Sequence, residues 1–174
     1  MNKIRSVSKG FTLLELLVVV LIIGILAGIA LPQYRRAVDK ARVSKYLVMG
    51  KSIRDSQERY FLAKGNYTPF LEDLDMDSVI SSCTKQGNYY IACDNGEFTI
   101  MSWGNQYLGL LSLHYCPKLK NTNYDAYTSC LAKQELALSF GYANPSPEVE
   151  SFRNKTTCQG TTERGQNICK DLGF

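Results

Sequence analysis

The chain has 174 residues, a formal net charge of +4, 45% apolar side chains and 21% charged ones. That length holds one globular core plus one extended element, not two full domains, and the composition excludes both a disordered charged tail and a polytopic membrane protein. The basic excess is no sign of a nucleic-acid partner, because it is unevenly divided: residues 1–10 hold Lys3, Arg5 and Lys9 with no acid, residues 35–64 hold nine basic side chains against three acidic, and residues 65–174 hold eight against twelve.

From Phe11 to Leu31 every residue is apolar except Thr12, Glu15 and the glycines Gly24 and Gly28. As a helix this run would extend ~30 Å at 1.5 Å per residue, enough to cross a bilayer. A cleavable secretory signal is the competing reading, since Gly28-Ile29-Ala30 fits a small-residue cut site. Glu15 argues against it. A carboxylate inside an apolar segment is costly unless it is paired or reaches the headgroups, so it is either there for a purpose or snorkels to one end. Gly24 and Gly28 have the small-xxx-small spacing that lets apolar helices approach closely, or are ordinary membrane-helix glycines. Pro32 lacks a backbone donor and is expected to kink or loosen the turn before it. Arg35, Arg36, Lys40, Arg42 and Lys45 follow on the far flank, so the count of basic residues on either side leaves the orientation open.

Beyond Pro32, apolar residues recur every three to four positions from Tyr34 through Val43, Leu47 and Ile53 to Phe61, which predicts an amphipathic stem helix. It should end near Lys64, with Gly65 as its cap. Anchor and stem together make one helix of roughly 53 residues and ~80 Å, longer than a small domain can bury. Asn66 to Ile80 reads as a loop with a short helical turn. Its Glu72, Asp73, Asp75 and Asp77 alternate as in a calcium loop, but Ser78 and Thr84 stand where that loop needs glycine and glutamate, so no metal site is expected.

Strands are predicted at Asn88–Cys93, Glu97–Trp103 and Tyr107–Cys116, separated by Asp94-Asn95-Gly96 and Gly104-Asn105, as an antiparallel meander of three or four strands whose apolar face packs on the stem. Cys130–Phe140 is read as a short helix before Gly141, and Asn144-Pro145-Ser146-Pro147 as a break. The expected fold class is therefore α+β: a long amino-terminal helix on a small antiparallel sheet.

All six cysteines, Cys83, Cys93, Cys116, Cys130, Cys158 and Cys169, lie after the stem. With no Cys-x-x-Cys and a single histidine, they read as a disulfide framework made in an oxidising compartment rather than as a zinc site. Fifteen pairings are open in principle; nearest neighbours are favoured, Cys83 with Cys93, Cys116 with Cys130 and Cys158 with Cys169. No nucleophile elbow, phosphate-binding glycine loop or paired-histidine zinc motif occurs, so no catalytic residue and no cofactor are expected. His114, flanked by Leu113 and Tyr115, reads as a packed strand residue rather than a base. Asn66-Tyr67-Thr68 and Asn154-Lys155-Thr156 match the acceptor pattern for N-glycosylation, a pattern short enough to arise by chance.

Lys9-Gly10-Phe11-Thr12-Leu13-Leu14-Glu15, continued through the apolar run to Ala30-Leu31-Pro32-Gln33-Tyr34, resembles the class III signal and methylation motif of type IV pilins and pseudopilins. The resemblance covers about the first third of the chain. It implies a leader over residues 1–10, a helix over 11–64 whose part 11–31 is the membrane anchor and later the filament core and whose part 32–64 is the stem, and a globular head over 65–174 with the pilin fold. It implies cleavage after Gly10 by a prepilin peptidase, N-methylation of Phe11, and assembly roles for Glu15, Gly24, Gly28 and Pro32. Glu15 would attract the terminal amine of a neighbouring subunit, with a pair inside one chain as the competing reading. Residues 24–32 would be free to unwind in the filament, and the Cys158–Cys169 bridge would close a carboxyl-terminal loop. The implied function is that of a structural subunit, inserted in the inner membrane with its head in the periplasm and then polymerised by the pilus assembly machinery into an extracellular homo-oligomeric filament. Two other readings are a pseudopilin of a type II secretion system and a minor pilin acting in adhesion or DNA uptake. The opposite charge of stem and head suggests that the two meet between subunits, through Arg35, Arg36 and Arg42.

Overall fold

A computed structural model of the chain describes residues 11–76, 81, 83–86, 90–103, 109–117 and 126–174. The leader with Gly10, Asp77 and Ser78 of the aspartate-rich loop, and the Gly104-Asn105 turn lie outside the described residues. Helix α1 runs from Leu13 to Lys64 with Pro32 inside it. It stops where Gly65 takes a φ of +78° and donates its N–H to the Phe61 carbonyl, a left-handed cap that a residue without Cβ adopts at little cost. Packing divides the chain into one unit that ends at Val38 and a second from Asp39 to Phe174.

In the first unit the helix carries its side chains from Leu13 to Ala37 exposed. In the second, α1 buries Val43, Tyr46, Met49, Gly50, Ile53 and Gln57, a stripe at helical spacing that faces a sheet. That sheet is an antiparallel meander in chain order: β1 (Cys83–Gln86), β2 (Tyr90–Cys93), β3 (Phe98–Trp103), β4 (Leu110–Tyr115), β5 (Leu136–Gly141) and β6 (Thr156–Gly160). Its register lines up apolar rows on one face: Cys93, Phe98, Tyr115 and Leu136 form one, and Ile91, Ile100, Leu113, Leu138 and Cys158 the next. Tyr46 of α1 stacks on Phe98 with ring centroids 3.7 Å apart. Gly50 sits over the Phe140 ring, where a Cβ would come within 2.3 Å of a ring carbon.

The opposite face carries Thr99 and His114, and helix α2 (Ala126–Lys133) covers it. Cys130 of α2 is bonded to Cys116, and its sulfur accepts from the Thr99 hydroxyl at 3.3 Å. Cys83 is bonded to Cys93 across β1 and β2, and Cys158 in β6 to Cys169 in helix α3 (Glu163–Asp171). Thr162 caps α3, its hydroxyl accepting from the Gly165 N–H at 3.1 Å.

Two sequence expectations differ from the structure. The sheet has six strands rather than three or four. Residues 130–140 are not one helix: α2 ends at Lys133 and β5 begins at Leu136. Leu, Ala, Lys, Gln and Glu favour a helix there intrinsically, but Leu136, Leu138 and Phe140 alternate onto the core face, and the buried period of two prevails over propensity. The tail is closed by the Cys158–Cys169 bridge as expected, with Cys158 on an edge strand and Cys169 on a helix.

Replacing Gly50 with alanine forces a methyl group into the Phe140 ring, and overpacking of this kind costs about 1–3 kcal/mol. Urea denaturation of Gly50→Ala should show that loss, and a smaller Phe140→Leu partner should restore part of it.

Candidate functional site

The residues singled out by the sequence lie on the first unit of α1. Thr12 and Glu15 form a reciprocal cap at its start. The Glu15 carboxylate accepts from the Thr12 backbone N–H at 2.9 Å and from its hydroxyl at 2.7 Å, while the Glu15 N–H donates to the Thr12 hydroxyl oxygen at 3.2 Å. This is the Thr-x-x-Glu capping box, and it places a negative group at the positive end of the helix. The Thr-x-x-Glu spacing of this cap is legible in the sequence. Phe11, at 72% exposure, precedes the cap.

From Phe11 to Leu31 the large apolar side chains are 44–81% exposed. Each gains about 1.5–3 kcal/mol on leaving water, so the segment requires lipid or other protein around it. The helix is long and apolar enough to cross a membrane, with a mean hydropathy of 2.9 in its most apolar stretch. Gly24 and Gly28 stand one turn apart, and a Cβ built on either meets nothing within 4 Å. With Leu17, Leu21 and Leu31 they follow the alternating four- and three-residue spacing of one helix face. Pro32 sits within the continuous helix.

The second unit holds the helix by polar latches as well as by its core. Asp39, only 7% exposed, is gripped by Arg164 of α3 in a bidentate pair, with Nε at 2.9 Å and Nη2 at 2.7 Å from its two oxygens. The Tyr115 hydroxyl donates to the same carboxylate at 3.4 Å. Arg164 also lies 3.7 Å from buried Glu135, which in turn accepts from the Thr162 hydroxyl. One turn on, Arg42 reaches Glu97 at 3.4 Å and Lys45 reaches Asp94 at 3.5 Å. Two basic stem residues are thus paired with acids of the same chain. Further along, Glu58 accepts from the Ala143 N–H at 2.7 Å and from the Tyr67 hydroxyl. Burial, helped by the Glu58 charge, pushes the Tyr67 phenol up to about 12. Gln57, fully buried, exchanges two hydrogen bonds with the backbone of Thr68.

His114 is buried on the α2 face of the sheet, with Nδ1 at 2.5 Å from Gln134 Oε1 and Nε2 at 3.2 Å from Ser112 Oγ. Burial lowers its pKa, and the Gln134 contact offsets part of that. In the aspartate-rich loop, Glu72 is engaged by Lys85 and Asp73 by the Thr68 hydroxyl.

Residues 5–31 match the family model described as the prokaryotic N-terminal methylation motif. The chain is 33% identical over 97 residues to the "Type IV major pilin protein PilE" of Neisseria gonorrhoeae, a match covering 55% of this chain and 56% of that one. It is 45% identical over 58 residues to the "Type IV major fimbrial protein FimA" of Dichelobacter nodosus, covering 33% of this chain and 37% of the relative. A "Fimbrial protein" of Neisseria meningitidis serogroup B is 36% identical over 63 residues, or 36% and 37% of the two chains. The chain thus spans about half the length, or less, of these curated relatives.

Two outcomes follow from the latches. Arg164→Ala leaves the buried Asp39 charge without its main partner. With the Arg164 side chain 44% exposed, the cost should be about 2–3 kcal/mol by urea denaturation, and Asp39→Asn combined with Arg164→Met should recover most of it. For His114 the folded pKa lies below the ordinary value, so the unfolded chain binds the proton first. Stability should therefore decline as pH falls below about 6.5, and that part of the slope should be absent in His114→Gln.

Proposed function

We propose that this chain, which is similar to a major type IV pilin over 55% of its length, is the structural subunit of a type IV pilus, a non-catalytic protein that works by assembly. A membrane-embedded prepilin peptidase cuts after Gly10 and the new amino terminus at Phe11 is methylated. The precursor waits in the inner membrane with its disulfide-bonded head in the oxidising periplasm. The assembly machinery then adds it to a filament of identical copies at the cell surface.

The observation that carries this reading is the exposed apolar helix from Phe11 to Leu31 with a single carboxylate at its start. Before cleavage, Thr12 satisfies Glu15. Cleavage creates a positive amine four residues away, and two opposite charges in a medium of low dielectric favour pairing strongly. A neighbour whose amine reaches Glu15 fixes the axial register between subunits, which undirected apolar contact cannot do. Gly24 and Gly28 let neighbouring helices come close, and Pro32, which cannot donate to the Gly28 carbonyl, lets that stretch unwind when the filament is under load.

Filaments sheared from producing cells and pelleted provide the test. Glu15→Ala should lower the pelleted subunit more than about tenfold, since an unpaired amine in the apolar core costs more than 1.4 kcal/mol, while the processed chain in the membrane fraction stays unchanged. An undiminished pellet would refute the reading.

A further inference from the structure

We infer that Tyr34, Arg35 and Arg36 form a binding band for anionic phospholipid headgroups, which holds the precursor at the membrane surface bordering the Pro32 end of its span. The inference rests on the proposed membrane stage of this chain. Leu31 ends the apolar run. At 1.5 Å per residue, Tyr34 to Arg36 stand ~5–8 Å beyond it along the helix, and the headgroup layer on each side of a bilayer is of similar depth. Helical side chains lean toward the amino terminus, so both guanidinium groups reach back toward the lipid rather than away from it. Tyr34 is 67% exposed and Arg35 and Arg36 are exposed, and an amphipathic ring beside cations is the residue combination that settles at a membrane interface.

Charge pairing separates these two arginines from Arg42 and Arg54, though not from Arg59, which donates to the Ser56 hydroxyl. Arg42, Lys45 and Arg54 each have an acidic partner within the chain. Among the described residues, no ion pair involves Arg35 or Arg36. In the proposed topology, with the disulfide-bonded head in an oxidising compartment, this flank lies on the translocated side of the membrane, where arginines close to the span work against insertion. A phosphate oxygen pair fits the planar guanidinium fork, and each basic residue at an anionic surface contributes about 1 kcal/mol.

The full chain in nanodiscs of equal phosphatidylglycerol and phosphatidylcholine tests this by native mass spectrometry of the lipids it retains. The wild type should keep phosphatidylglycerol in preference. Arg35→Gln with Arg36→Gln should reduce that preference by up to about 30-fold, two interactions of about 1 kcal/mol each, and Arg35→Lys with Arg36→Lys should largely preserve it. Unchanged lipid retention in the glutamine variant would overturn the inference, and if filament yield fell at the same time the arginines would belong to a contact between subunits instead. Failure of the wild-type chain to resist alkaline carbonate extraction from vesicles would overturn both the inference and the membrane stage beneath it, which separates the two failures.

Discussion

A carboxylate in an otherwise uncharged apolar helix has few places to go. Glu15 shares its turn with Leu13, Leu14 and Leu16, and in the structure it is satisfied by folding back onto Thr12 at the helix start. The capping box explains how the helix start tolerates the charge. It also explains why the charge remains usable: the partner is a neutral hydroxyl and amide at the exposed tip, and a cationic amine competes well against them once hydrocarbon replaces water. The same residue therefore caps the helix start here and is the group that the proposed assembly would use.

The carboxyl-terminal unit keeps its part of α1 by different means. Core rows from five strands meet the stripe from Val43 to Gln57, and the glycine at position 50 lets the helix come down onto the Phe140 ring. At the margin of that core, Asp39 is tied through Arg164 to α3, whose far end is bonded back to β6 by Cys158 and Cys169. Load on the helix would then be passed to a covalently closed element rather than to a frayed tail.

Much of this fold could be read from residue patterns. The single helix and its glycine cap follow from the apolar run, the three-to-four spacing and Gly65, and the middle strands follow from their Tyr-, Ile- and Leu-rich segments. What escaped the sequence had physical causes. The segment from Cys130 to Phe140 is built of helix formers, and only burial of alternate residues reveals the strand within it. Thr156–Gly160 is too short and polar to signal an edge strand. The Asp39–Arg164 latch joins residues 125 positions apart, and no local pattern announces it. At the amino terminus the Thr-x-x-Glu spacing is a local signal for the cap that Thr12 and Glu15 form.

The most direct measurement is the intact mass and terminal sequence of the mature chain recovered from membranes and from sheared filaments. The account predicts a chain that begins at Phe11, is heavier by one methyl group and retains the whole apolar helix. A mature chain that begins beyond Ala30 would contradict it, because neither Glu15 nor the amine that is to meet it would remain.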